Sequence, residues 1–298
     1  MTSSNPKAGA SRARFKVGVA GWSYPDWQGV FYPARRHKGF SELQFAARRF
    51  DLIEINSTFY RQPEARHAAA WVRQVEDLPD FVFTAKIYRE LTHGTLSQSE
   101  IPALSRQFRE GLKPLQEANR LACILLQFPW YFDDSGENRD RLERVADGLQ
   151  PFPVAAELRH SSFLSQGPQG GLPFLGKLGI NFVNIDLPRS RTSPGPTCIN
   201  TGPLGYFRLH GRNSSTWFDP KADRDSKYNY LYRPDELRDL LPLMERVAQR
   251  TQSTYVVANN HFRGQAAANA FQIMQFSGRE PPDIPVDLQA EFPFLGAS

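Results

Sequence analysis

Gly205-Tyr206-Phe207-Arg208-Leu209-His210 is a short apolar run in which every second residue changes character. In an extended strand, residues two apart share a face. Tyr206, Arg208 and His210 therefore point one way, and Phe207 and Leu209 the other. One face turns polar toward the C-terminal end, while the other stays apolar and needs a partner such as a helix. Gly211-Arg212-Asn213 follows at once, a loop with a glycine and more polar groups.

Seven further apolar, β-branched-rich runs resemble it: 15–20, 51–56, 81–86, 121–128, 154–158, 180–186 and 254–259. Helical periodicity fills most of the intervals, over 41–49, 64–75, 101–119, 137–149, 234–250 and 264–276. Only a short helix fits near 172–178, and the Pro-rich stretch after Asp186 has no clear helix. Eight strands alternating with helices over ~250 residues predict an α/β fold, a single (β/α)8 TIM-type barrel with parallel strands. A doubly wound open sheet is the alternative, weakened by the lack of a G-x-G-x-x-G after the first strand. Residues 1–14 read as a disordered basic tail and 15–298 as the barrel domain, with a Pro-rich end from 280 that wraps it.

The bulk numbers are ordinary for a globular chain: 298 residues, 40% hydrophobic, 22% charged. The net charge of +5 misleads. Lys7, Arg12, Arg14 and Lys16 stand in residues 1–16 with no acid, so the other 282 residues carry a net +1. A basic nucleic-acid-binding body is not indicated. No apolar run nears the ~18 residues of a membrane span. Two cysteines 75 positions apart, Cys123 and Cys198, make neither a disulfide framework nor a zinc cluster, and fit a reducing cytoplasm.

The same parity, applied to the other runs, yields a set of inward groups near the strand ends: Glu54 and Asn56, Thr84 and Lys86, Gln127, Glu157 and Arg159, Asn184 and Asp186, Asn259. If the apolar faces pack on helices, these groups converge in the barrel mouth, where enzymes of this fold hold their ligands. An internal ionic network, with Glu54, Glu157 and Asp186 against Lys86, Arg159 and Arg208, is the purely structural alternative. Burying so many charges is costly, whereas Val, Ile and Leu fill barrels well. A ligand pocket is therefore the expectation.

The loops after the last two strands add Arg212, Asn213, His261 and Arg263, with Gly211 and Gly264 permitting close backbone approach. Such loops often cradle a phosphate at a helix N-terminus. Aromatic residues crowd the same rim: Trp22, Tyr24, Trp27, Tyr60, Trp130, Tyr131, Phe163, Trp217 and Phe218. They could stack on a sugar or a base, or simply pack the loops. Of the six histidines, His93, His160, His210 and His261 fall at or after strand ends. No H-x-x-x-H occurs and His160 has the wrong parity for Glu157, so no metal ligand is assigned. There is no G-x-S-x-G elbow and no P-loop.

Several segments together resemble the YecE-like family of unknown function, domain-of-unknown-function family 72. They are Gly21-Trp22-Ser23-Tyr24-Pro25-Asp26-Trp27 with Phe31-Tyr32-Pro33, Glu54 to Arg61, Leu126-Gln127-Phe128-Pro129, Glu157-Leu158-Arg159-His160, Arg208 to Asn213, and Asn259-Asn260-His261 ahead of Gly264. The likeness runs from about 15 to 278 and implies a barrel related to the TIM type. It supplies no reaction.

The working expectation is an enzyme on a small anionic or phosphorylated ligand, such as a phosphoester. Arg212, Arg208 and Lys86 would hold the anion. His210 would move a proton with Glu157 or Asp186 as partner, and Trp22, Asn56, Tyr60, Gln127, Arg159, Asn259 and His261 would line the ligand. A divalent metal in a hydrolase or sugar isomerase is one alternative, and a non-catalytic ligand-binding protein another. A nucleic-acid substrate is a subordinate version.

Overall fold

The structure, a computed structural model, describes residues 15–296. The expectation of a basic tail over 1–14 lies outside these residues. Eight strands form a closed, all-parallel barrel in sequence order: β1 (Lys16–Ala20), β2 (Leu52–Ile55), β3 (Val82–Lys86), β4 (Leu121–Gln127), β5 (Val154–Glu157), β6 (Asn181–Asp186), β7 (Leu204–Leu209) and β8 (Ser253–Ala258). β8 closes on β1 through pairs such as Val17 with Val256. All eight strands fall within a residue of the expected runs, because β-branched runs bounded by turn residues mark strands cleanly.

The main outer helices are α1 (Glu42–Ala47), α2 (Ala65–Gln74), α3 (Ile101–Glu117), α4 (Gly136–Leu149), α5 (Gly171–Lys177), α6 (Pro234–Ala248) and α7 (Gln265–Phe276). Their starts follow local chemistry. The Ser41 hydroxyl accepts the Gln44 amide at 3.1 Å to open α1. Pro234 begins α6, and Glu236 reaches back to the Arg233 amide at 2.9 Å. α7 is buried along nearly its whole length, because Leu288, Phe292 and Leu295 of the C-terminal segment cover its outer side.

Two apolar zones result. Between sheet and helices lies the main core, which includes Val17, Ile53, Phe83, Leu126 and Phe271. Inside the barrel, Leu52, Cys123, Leu125, Val183, Tyr206 and Val257 fill the lower layers. Gly18 belongs to this interior. A Cβ there would stand 1.9 Å from the Leu52 carbonyl oxygen, so only glycine lets β1 approach β2 this closely.

One strand departs from the expected parity. In β6, Val183, Ile185 and the following Leu187 join the inner cluster, and Phe182 belongs to the outer one. Asn184 and Asp186 therefore face outward. The cause is the missing crossover helix: among the described residues 187–203 none is helical. An extended segment covers β6 instead, and its peptide groups need partners. Asn184 supplies them. Its Oδ1 accepts the Ile199 amide at 2.9 Å and the Thr197 hydroxyl at 2.7 Å, and its Nδ2 donates to the Ile199 carbonyl at 2.8 Å. Asn181 does the same for the Leu204 amide at 2.9 Å.

Asn184→Val should therefore cost about 2 kcal/mol, read as a lowered urea midpoint, because it strands the peptide groups of Ile199. A midpoint within a few tenths of a kcal/mol of the parent would contradict this account of β6.

Candidate active site

At the top of the barrel axis Arg208 reaches from β7 between two carboxylates. Its Nε and Nη2 donate to Glu54 Oε2 and Oε1 at 3.0 and 2.6 Å, and its Nη1 donates to Glu157 Oε2. Tyr206 adds a hydroxyl donor to Glu54 Oε2 at 2.9 Å and meets the Thr84 hydroxyl at 2.9 Å. Arg159 Nε donates to Glu157 Oε1 at 2.7 Å. All three central groups are essentially inaccessible. Burial alone would raise the Glu157 carboxyl, but Arg208, His210 and Arg159 outweigh it and hold the group well below its usual range. Arg208 in turn is held firmly protonated: burial opposes its charge, and Glu157 and Glu54 overcome that.

His210 stands behind this array. Asn259 Nδ2 lies 2.9 Å from its Nδ1, and its Nε2 lies 3.2 Å from Glu157 Oε1. Its ring is wholly buried, which pushes its pKa down to about 3 against the pull of Glu157. It stays neutral at physiological pH and does not border the open cavity. A proton-transfer role for His210 is thereby displaced from where a ligand would sit.

Above the clamp opens a cavity of about 480 Å³, a size suited to a small ligand. Its floor and walls include Arg208, Lys86, Gln127, Arg159, Asn56 and Asn259; Trp22, Tyr60 and His261 form further parts of its wall. These nine of the expected residues come together at one mouth. Glu54 and Glu157 lie beneath it. Besides His210, three others do not join. Asp186, on the outer face of β6, takes a bidentate pair from Arg212 (2.8 and 2.9 Å) and the Tyr232 hydroxyl at 2.6 Å. Arg212 also meets Glu236 at 3.1 Å, so both are consumed away from the cavity. Asn213 braces its own loop by donating to the carbonyls of Ser226 and Asn229 at 2.9 and 3.2 Å.

The expected phosphate cradle between the last two loops is not formed. The Gly211 amide is spent on the Tyr232 hydroxyl at 2.9 Å, Gly264 packs against Val30 and Leu288, and Arg263 pairs with Glu291 at 3.1 Å. The metal alternative loses its geometry too, since Glu157 faces inward and Asp186 outward. Among the described residues no group of three or more His, Cys, Asp or Glu side chains could hold a metal ion. No helix among those residues is long and apolar enough to cross a membrane.

Lys86 has the most unusual setting. Its Nζ lies 3.8 Å above the Phe59 ring centroid, and no carboxylate lies within 4 Å among the described residues. Burial, then Arg208 and Arg159, press its pKa down to about 7 despite Glu157 and Glu54. His93 also meets this ring, at 5.3 Å between centroids and nearly perpendicular to it, with Nδ1 2.8 Å from the Thr92 hydroxyl. Burial and the nearby Lys86 lower it to about 4, so it is a neutral imidazole.

His261 is clasped between Tyr24 (4.6 Å, 10° between planes) and Tyr228 (5.2 Å), with neither ring nitrogen hydrogen-bonded. Its pKa is about 4, through burial first and then Arg224. Parity reasoning missed His93, Phe59, Arg224 and Tyr228 as lining groups. His93 and Phe59 follow their strands in short helical turns, and Arg224 and Tyr228 sit in the aperiodic loop 211–232, so neither strand alternation nor helical spacing marks them. Of the rim aromatics, Trp27 and Phe163 are buried packing groups, while Trp130, Tyr131 and Phe218 are exposed.

A closed parallel eight-stranded barrel with a polar cavity at the C-terminal ends of its strands defines a TIM-type barrel protein. The chain belongs to the family described as protein of unknown function DUF72, whose model matches residues 16–291. It is 28% identical over 284 residues to the UPF0759 protein YunF of Bacillus subtilis, covering 90% of this chain and 98% of that protein. It is 27% identical over 173 residues to the UPF0759 protein YecE of Escherichia coli, covering 57% and 58% of the two chains. A solved DUF72 family structure from Thermotoga maritima superposes with a TM-score of 0.76 at 34% identity, over 89% of this chain and 99% of that one. One from Enterococcus faecalis gives 0.76 at 25% identity, over 91% and 98%.

Arg208→Met leaves buried Glu54 without a counter-charge and Glu157 with Arg159 alone, so stability should fall by about 3–5 kcal/mol in denaturant titration; a loss under 1 kcal/mol would disprove the clamp's role. Acid should weaken the fold in a defined window. Below about pH 6.5 the unfolded chain protonates imidazoles that the folded chain refuses until about pH 4 for His93 and His261 and about pH 3 for His210. The unfolded state then binds more protons, so stability declines as pH falls from 6.5 toward 3. Glu157, depressed in the fold, adds its own loss only below the ordinary carboxylate range. A urea midpoint that stays flat between pH 6.5 and 4 would contradict these environments.

Proposed function

We propose that the protein is an enzyme acting by acid/base chemistry on a small anionic ligand, a phosphorylated compound being the chief candidate. The observation that carries this is the charge left over at the cavity. Both central carboxylates are committed: Glu54 to Arg208 and Tyr206, Glu157 to Arg208 and Arg159. Against these two negatives stand Arg208, Arg159 and Lys86, with Arg224 at the rim beside Asp225. The unspent charge is therefore positive. It lies in a recess at the barrel mouth, where a guanidinium-held anion gains more than on a flat surface.

The roles differ from those expected of the sequence. Arg159 and Arg224 take the anion, in place of Arg212. Arg159 keeps Nη donors available, because only its Nε is bound to Glu157. Proton transfer falls to Lys86, which borders the cavity, in place of His210, which does not. An amine whose pKa lies near 7 is suited to take and return protons under physiological conditions, and the neutral His93 imidazole is left to hydrogen-bond the ligand. The ring nitrogens of His261 and the amides of Gln127 and Asn259 are left to orient the uncharged part of the ligand.

Calorimetric titration tests this reading with glycerol 3-phosphate against glycerol. The phosphate ester should bind and glycerol should not. Arg159→Gln and Arg224→Ala should each weaken the ester at least tenfold, about 1.4 kcal/mol. Equal affinity for the charged and uncharged compounds would reject the reading.

A further inference from the structure

Lys86 combines features that a merely solubilising or ion-pairing lysine does not have. It projects from the C-terminal end of β3 into the barrel mouth, and Thr58 fixes its backbone by donating its hydroxyl to the Lys86 carbonyl at 2.6 Å. The amine end rests on the face of Phe59 and has no carboxylate partner within 4 Å among the described residues. A lysine kept only for charge would gain from pairing with Glu54 or Glu157, yet Arg208 and Arg159 occupy both. The guanidinium groups and the aromatic face thus leave an amine with its nitrogen facing open space. Surroundings of this kind, desolvating and beside other cations, turn a lysine into a nucleophile.

We propose that Lys86 is a covalent catalytic residue whose Nζ condenses with the carbonyl carbon of a small anionic aldehyde or ketone held in this cavity. The anionic half of that statement rests on the function proposed above; the covalent half rests on the placement of Lys86. In the step, the lone pair of the neutral amine attacks the carbonyl carbon, and the carbonyl π pair moves to oxygen, which takes a proton. The nitrogen loses one proton, giving a neutral carbinolamine. The hydroxyl leaves as water after a second proton reaches it, and the nitrogen pair closes the C=N bond as a protonated imine. One amine, one carbonyl compound and one proton become one iminium ion and one water, with no oxidant or reductant. The protons exchange with water in the open cavity, which His93 also borders as a neutral imidazole.

The groups facing Lys86 give the reaction its direction. Arg208 from β7 and Arg159 after β5 oppose a positive nitrogen, Glu157 and Glu54 favour it, and His93 carries no charge. Burial, reinforced by the two guanidinium groups and only partly offset by the carboxylates, lets the amine exist in both forms near neutrality, so it can attack as the free base and still be cationic as the iminium. The iminium then acts as an electron sink for loss of a proton from the adjacent carbon, chemistry that an unmodified carbonyl undergoes far more slowly.

The test is reductive trapping on the full chain. The protein is incubated with dihydroxyacetone phosphate and sodium cyanoborohydride at pH 7, digested and mapped by mass spectrometry. Exposed Lys113 and Lys177 serve as internal controls, and a parallel reaction uses uncharged dihydroxyacetone. The expected result is an adduct on Lys86 at least tenfold above the controls with the phosphate ester, and little with the uncharged ketone. Lys86→Arg, checked for native circular dichroism, should lose that adduct. Preferential trapping on Lys86 with both ketones would uphold the imine and overturn the anionic reading. Calorimetric binding of the phosphate ester without preferential trapping would overturn the imine and leave the anionic reading intact. Neither binding nor preferential trapping would overturn both.

Discussion

Arg208 lies across the barrel between Glu54 and Glu157 with no access to water, and much of what is unusual about this molecule follows from those three charges. Each pays a large desolvation cost that a hydrophobic side chain would not. The cost is met by geometry: a two-pronged bond to one carboxylate, a third guanidinium bond to the other, Tyr206 sharing Glu54 Oε2 with Arg208, and Arg159 on the remaining oxygen of Glu157. The array ties β2, β5 and β7, strands far apart around the ring, through bonds that hold only if the ring is closed. Apolar layers below it fill space; this layer fixes distances.

The same array decides the electrostatics above it. Because Arg208 consumes both acids, the Nη donors of Arg159 face the cavity unspent, and Lys86 loses the carboxylate partner that would otherwise hold it protonated. His210, packed behind Glu157 and bonded to Asn259, orients the acid beneath the cavity. Charge is spent in the floor and left over in the wall.

Much of this could be read from alternation alone. Every strand was marked by its apolar run, and for β2, β3, β4, β5, β7 and β8 the inward residues followed from counting by two. The failure at β6 is instructive. Asn184 and Asp186 share a face as alternation requires, but alternation does not say which face is inside when both are buried. Polar residues near a strand end ordinarily mark the mouth, whereas here they mark a stretch of wall with no helix over it. Arg212 failed with them, because its partner Asp186 lay on the outer side. His93, Arg224 and Tyr228 were illegible for another reason: they come from short turns and the long loop 211–232, whose path depends on contacts such as Asn213 with Ser226 rather than on any period.

The extended cover over β6 gives the barrel an uneven casing. Elsewhere a helix lies on the sheet through apolar side chains, which tolerate small sliding and tilting because no single contact is directional. Over β6 the casing is stitched by Asn181 and Asn184 to particular peptide groups. Stitches of this kind permit one alignment only, yet each contributes little, and several must release together for the cover to lift. This flank is thus exact in registry and shallow in energy, so the casing would peel here before its helices part from the sheet.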